Sequence, residues 1–243
     1  MKEQEWFESW FNSPYYHILY KNRDDNEAAY FIKNLTQKIK LNPEDKVLDI
    51  ACGRGRHSII FNKLGYFVNG IDISSESIKE AQKNSSASLQ FYVHDMRKLF
   101  RVNYYNLAVN LFSSFGYFKS ENEHQQAINN MYKCLKPEGF LVIDFLNAYK
   151  VINTLVPAEE KQIDGIHFKI ERKFSKVNII KSIEVTHGDK KYNFAESVKA
   201  FTFKDFETFI KRAGLQIINT YGDYSLNPYN ETESDRLILF AQK

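Results

Sequence analysis

The sequence predicts an α/β fold: a mostly parallel sheet with helices on both faces, carrying an added antiparallel β arm. Three observations point to it. Residues 46–72, KVLDIACGRGRHSIIFNKLGYFVNGID, run from an apolar strand through a glycine loop and a helix into a second strand. Asp49, Asp72 and Asp95 recur at intervals of twenty-three residues, each at the end of a strand-like run, as parallel strands joined by crossover helices would place them. Beyond residue 146 the pattern changes to three strand-like runs with partial alternation, which such a core does not need.

Taken in order, residues 47–50 read as a buried strand and Ala51, Cys52, Gly53, Arg54 and Gly55 as a tight loop. Ile59, Ile60 and Leu64 then fall at helical spacing, Gly65 is a stop, and residues 66–71 form a strand ending in Asp72. Residues 89–94 are a third strand, followed by Asp95 and Met96, and residues 106–112 a fourth. A helix over 121–136 ends ahead of Pro137-Glu138-Gly139, which turns into the apolar strand 140–146. Strands are expected at 167–176, 178–186 and 191–201, with His187-Gly188-Asp189-Lys190 as a hairpin turn. Thr202 with Asp205 resembles a capping arrangement ahead of Phe206, Phe209 and Ile210. Gly214 ends that helix, and strands at 215–221 and 236–241 close the chain.

The paired acids at the first two strand tips choose between ligands. A dinucleotide fingerprint needs G-x-G-x-x-G, and here the third glycine position is Ser58. Asp49, just ahead of the loop, would repel a pyrophosphate and favour a cation. S-adenosylmethionine carries a sulfonium and an ammonium, has ribose hydroxyls and lacks phosphate, so it suits two carboxylates better than NAD does. Asp95 offers an acceptor to an adenine amino group, and Met96 a polarizable side chain for the ring.

With the VLDIACGRGRH loop, the GIDIS strand tip, and the HDMR, NLFSSFGYF and LKPEGFLVIDF segments in this order, the chain resembles the class I S-adenosylmethionine-dependent methyltransferases, small-molecule type. The resemblance covers nearly the whole chain. It implies a Rossmann-like seven-stranded mostly parallel sheet with helices on both faces, its last strand antiparallel, with S-adenosyl-L-methionine as cofactor and S-adenosyl-L-homocysteine as product. It also implies that Asp49 orders the methionine amino end through the loop, while Ala51, Gly53 and Gly55 let the backbone come close. Ala51 replaces a family glycine and is small enough for the same approach if its φ stays negative. By the same resemblance Asp72 accepts the ribose hydroxyls with Ile73 near the adenine, Asp95 and Met96 read the adenine, and Asn110 and Leu111 lie beside the methionyl portion. Tyr16, Tyr20 and Arg23 would belong to an N-terminal segment that closes over the cofactor, the arginine pairing with its carboxylate.

These readings divide the chain into an N-terminal helical lid over 1–30, a core over 31–147 and 201–243, and an inserted β arm over 148–200. The arm is expected to cover the substrate, with Phe168, Phe174, Tyr192 and Phe194 helping to form the acceptor pocket. A dimer contact is its other reading. Trp6, Trp10 and Phe11 are expected in the core. Methyl transfer asks for alignment and exclusion of water more than for acid or base. His17, His57, His94 and Tyr117 are candidates for a base, none stands out, and no catalytic residue is assigned.

Composition agrees with one decorated domain. The chain has 243 residues, 43% of them hydrophobic and 26% charged, and two cysteines whose spacing supports neither a disulfide framework nor a metal site. The net charge of +3 is spread along the chain, without the basic stripe of a nucleic-acid enzyme. Asn110-Leu111-Phe112-Ser113 lacks both prolines of the base-directed Asn-Pro-Pro-aromatic pattern. The expected partner is therefore a small-molecule methyl acceptor, with no nucleic acid and no membrane, for a cytoplasmic monomer or homodimer. An RNA or protein methyltransferase, a non-catalytic S-adenosylmethionine-binding protein and an NAD(P)-linked oxidoreductase are the alternatives.

Overall fold

The computed structural model describes residues 5–21 and 25–243. Two short helices, α1 (Trp6–Phe11) and α2 (Pro14–Leu19), precede α3 (Asp25–Ile39). The core then alternates β1 (Lys46–Ile50), α4 (Arg56–Lys63), β2 (Phe67–Asp72), α5 (Ser75–Ala81), β3 (Leu89–Val93), β4 (Tyr105–Asn110), α6 (Glu121–Cys134) and β5 (Leu135–Leu146). After α7 (Ala148–Asn153) come four arm strands: β6 (Ala158–Ile163), β7 (Ile166–Ser175), β8 (Asn178–His187) and β9 (Lys190–Lys199). The chain returns to the core with α8 (Phe203–Ala213), β10 (Gln216–Tyr221) and β11 (Arg236–Gln242).

The core sheet runs β10-β11-β5-β4-β1-β2-β3. β1 through β5 pair in parallel, whereas β11 is antiparallel to both β5 and β10. Alternation along the strands decides what each face buries. Leu48 and Ile50 of β1 pack with Ile128 of α6 and Phe206 of α8, while Val47 packs with Phe31 of α3 and Phe61 of α4. Helices therefore cover both faces, and Asp49 shares a face with Val47, on the α3/α4 side. Thr202 and Asp205 cap α8 reciprocally, and Gly214 ends it at φ +89°.

Three boundaries depart from the sequence reading. β4 ends at Asn110 instead of running to residue 112, because Phe112 and Ser113 are both left-handed, at φ +62° and +60°. α6 stops at Cys134, two residues early, and β5 already begins at Leu135, ahead of Pro137. The arm has four strands where three were expected. β6 pairs with β7 across the two-residue turn Asp164-Gly165, whose residues sit at φ +51° and +76°.

The arm has its own core. Trp10 and Leu19 from the N-terminal helices bury against Ile166, Phe168, Ile170, Ile183 and Val185. Trp10 Nε1 and the Tyr20 hydroxyl both donate to Glu196 Oε1 of β9, each at 2.8 Å. The N-terminal segment is thus seated on the arm. Among the described residues, no helix is long and apolar enough to cross a membrane.

Candidate functional site

A cavity of about 630 Å³ opens at the C-terminal ends of β1, β2 and β4, bounded on its other sides by α1, α2 and β9. Its floor is the loop after β1. Ala51, Gly53 and Gly55 all have positive φ, at +60°, +56° and +82°, so the condition of a negative φ at Ala51 is not met. The chain must reverse there so that the Cys52 N–H reaches the Ile71 carbonyl at 3.0 Å and the Gly53 N–H reaches Asp72 Oδ2 at 2.8 Å. An alanine in this region costs about 1–2 kcal/mol of backbone strain.

The two loop glycines differ in what they require. A Cβ on Gly53 would meet no atom within 4 Å, which leaves its backbone face open toward the cavity. One on Gly55 would stand 2.6 Å from the Phe91 ring. Gly55 is thus demanded by packing against Phe91 and is not on the cavity wall.

Asp72 ends β2 on the wall, half-buried, and each of its oxygens already accepts one backbone N–H: Oδ2 from Gly53 and Oδ1 from Ser74, both at 2.8 Å. Burial raises its pKa against these hydrogen bonds. Asp49 lies underneath the loop, 1% exposed, and accepts from Ser58 Oγ at 2.6 Å. Burial, with the neighbouring charge of Asp72, pushes it up to about 6 even though Ser58 and Arg56 favour its anion. The serine that breaks the dinucleotide fingerprint is therefore the partner of the acid that argued against a dinucleotide.

At the β3 tip, Asp95, Ile73 and Met96 line the wall. Asp95 gives both oxygens to Arg97, which also pairs with Glu5 at 2.6 Å and Glu123 at 2.8 Å. Burial opposes the Asp95 anion, but Arg97 outweighs it and holds the carboxyl below its ordinary value. Leu111 is on the wall; Asn110 is not. The Asn110 side chain is fully buried and donates Nδ2 to the Ile50 carbonyl at 3.0 Å, pinning the β1 and β4 tips together.

Tyr16 and Tyr20 line the cavity, and Arg23 lies outside the described residues. Trp6 and Phe11, expected in the core, stand on the wall beside Tyr117. Trp10 is fully buried, as expected. His17, His57, His94 and Tyr117 all reach the wall. The Tyr117 hydroxyl donates to the Ser113 carbonyl at 2.7 Å, and His94 Nε2 lies 3.0 Å from the Lys98 carbonyl.

The aromatic residues expected to bring the arm to the pocket do not do so. Phe168 is buried inside the arm, Phe174 is exposed, and Tyr192 and Phe194 pack on Tyr15 and Trp10. Glu196 and Val198, on the same face of β9, are the arm residues that reach the cavity. Sequence reasoning also missed Phe112, Ser113, Arg56 and Arg236 on its wall. Arg236 Nε donates to the fully buried Asp144 at 2.7 Å. A charge inside each of two apolar strands, FLVIDFL and RLILFA, was the available signal, since buried charges require partners. Among the described residues, no group of three or more His, Cys, Asp or Glu could hold a metal ion.

Comparison with known proteins agrees with this geometry. A family model described as a methyltransferase domain matches residues 41–212. YqeM of Bacillus subtilis (strain 168), named among methyltransferases, is 27% identical over 208 residues, 82% of this chain and 84% of that one. The glycine/sarcosine N-methyltransferase of Aphanothece halophytica is 26% identical over 233 residues, 91% of this chain and 83% of that one. The crystal structure of an S-adenosylmethionine-dependent methyltransferase from Clostridium acetobutylicum ATCC 824 superposes with a TM-score of 0.80 at 18% identity, covering 94% of this chain and 95% of that one, and so shares the fold. The chain belongs to the methyltransferase domain family, as an S-adenosylmethionine-dependent enzyme of class I.

Proposed function

We propose that this enzyme methylates a nitrogen atom of a small molecule held between the β4 tip and the β arm. The observation that carries the donor half of the reading is Asp72. Its carboxylate has about four acceptor sites, two of which hold the Gly53 and Ser74 N–H groups. Acceptor capacity remains for vicinal hydroxyls, on a carboxylate whose orientation the backbone has already set. The nitrogen acceptor is supported by the likeness to a glycine/sarcosine N-methyltransferase.

S-adenosylmethionine supplies a sulfonium methyl that passes to the acceptor by in-line displacement, with loss of charge at sulfur. The residues here suit that donor. Asp49 and Asp72 put two carboxylates at the loop, which a cationic ligand would stabilise. In this reading Ile73 and Met96 hold the adenine faces, with Asp95, oriented by Arg97, at the edge. Ala51 and Gly53 present backbone to the methionyl end, and Leu111 packs beside it. Trp6, Phe11, Tyr16 and Tyr20 exclude water from above, and exclusion with alignment can supply much of the rate. The N-terminal helices then act as a lid seated on the arm, and the arm as the cover of the acceptor. Two buried free cysteines suit a reducing, cytoplasmic compartment.

The test is calorimetric titration of S-adenosylhomocysteine across pH. Unliganded, Asp49 in the folded protein keeps a proton from its ordinary 3.8 up to about 6 that the unfolded chain has released. Stability without ligand therefore falls as pH rises through that window. The ligand ammonium favours the Asp49 anion, so affinity should rise between pH 5 and 7, with proton release on binding near pH 6. Asp49→Asn should flatten this rise. No binding at any pH would refute the donor reading, and a pH-independent affinity would remove Asp49 from it.

A further inference from the structure

The far end of the cavity carries side chains for which the donor reading has no task. The tips of β3, β2 and β1 lie under the donor in that reading. Past β4 come Asp144 of β5 and Arg236 at the head of β11. Arg236 lines the cavity. Its Nε is held by Asp144 at 2.7 Å and its Nη2 by Ser113 Oγ at 3.0 Å, while Nη1 makes no hydrogen bond among the described residues. The guanidinium lies 5.7 Å from the centroid of the Phe112 ring, and that of Arg56, the first residue of α4, lies 5.3 Å from the same centroid. Two arginines therefore meet one ring on the cavity wall.

Two carboxylates beside them are already engaged. Asp144 is 1% exposed and divides its carboxylate among Arg236, the Phe112 N–H at 2.8 Å and the Tyr224 hydroxyl at 3.2 Å. Asp49, which also feels Arg56, is buried beneath the loop and engaged by Ser58. The backbone under the ring is strained as well. Phe112 and Ser113 are consecutive left-handed residues, and Asp144 holds both, accepting the Phe112 N–H on its carboxylate and the Ser113 N–H on its carbonyl at 2.9 Å. Strain of this kind persists where its surroundings over-determine it, and it gathers at ligand sites.

We infer that Arg236 and Arg56 form an anion subsite over Phe112 that receives a carboxylate-class group on the methyl acceptor, and that the strained turn at 112–113 presents it. The inference rests on the methyl-transfer reading of the cavity and adds the acceptor's class: a small acidic molecule, in preference to a plain amine. A planar guanidinium fork held at two of its nitrogens matches a carboxylate through its remaining edge.

The test is calorimetric titration of the S-adenosylhomocysteine-saturated protein with sodium acetate, ionic strength being held constant with sodium chloride. Acetate should bind saturably to the wild type and at least fivefold more weakly to Arg236→Gln and to Arg56→Gln, while S-adenosylhomocysteine affinity stays within twofold in Arg236→Gln. Arg236→Gln strands the Asp144 carboxylate. The double variant Asp144→Asn/Arg236→Gln, which strands no charge, should lose acetate in the same way. Absence of acetate binding to the wild type, or equal binding by the variants, would overturn the subsite. A tenfold loss of S-adenosylhomocysteine affinity in the double variant would overturn it too, by assigning Arg236 to the donor. If S-adenosylhomocysteine does not bind the wild type, the donor reading fails, and the acetate titration alone still decides the subsite.

Discussion

Asp72→Ala is expected to weaken S-adenosylhomocysteine binding roughly 10- to 150-fold, the equivalent of about 1.5–3 kcal/mol for hydrogen bonds to a charged acceptor. Two effects contribute. The variant removes the acceptor offered to the ribose, and it releases the Gly53 and Ser74 N–H groups that position the loop and the start of α5. The 2′-deoxy analogue of the ligand separates them. Wild type should discriminate against it, and Asp72→Ala should bind the two ligands alike, because a contact already lost cannot be lost twice. Equal discrimination by both proteins would mean that Asp72 shapes the loop without touching the ribose.

The largest stability effect is expected at Asp144→Ala. Asp144 is fully buried and Arg236 is 18% exposed, so removal of the carboxylate leaves a nearly buried cation without its partner. Breaking such a pair costs about 3–5 kcal/mol. For a chain of this size that corresponds to a fall in melting temperature of roughly 10 °C. The Phe112 N–H and the Tyr224 hydroxyl lose their acceptor at the same time. Asp144→Asn keeps an acceptor for Phe112 and should lose less. Thermal unfolding of the two variants checks this ordering, and a loss below about 1 kcal/mol in Asp144→Ala would show that the pair is structurally dispensable.

What could be read in the sequence was what local chemistry dictates. The glycine loop, the strand tips at Asp72 and Asp95, the capped helix after Thr202 and the final antiparallel pair all carry their signals within a few residues. β6 was missed because AEEKQI is an edge strand with largely exposed side chains, although Asp164-Gly165 marked the hairpin after it. Trp6, Trp10 and Phe11 read as core residues, yet the helices divide these rings between the arm, which takes Trp10, and the cavity, which takes Trp6 and Phe11. The positive φ of Ala51 follows from where the chain must go next, which residue type alone does not reveal. Arg236 and Asp144 are ninety-two residues apart and meet only through the antiparallel pairing of β11 with β5. Parity along β1 could have shown that Asp49 turns away from the α6 face, but not that Ser58 would hold it beneath the loop.

Methyl transfer from S-adenosylmethionine to a small molecule is the reaction expected in this cavity. Its most direct test is incubation of the protein with methyl-labelled S-adenosylmethionine and a panel of small amines with and without a carboxylate, with S-adenosylhomocysteine and labelled acceptor quantified together. The expected result is equimolar formation of the two with at least one amine, abolished or strongly reduced in Asp72→Ala. Binding of S-adenosylmethionine without transfer to any small molecule offered would contradict it.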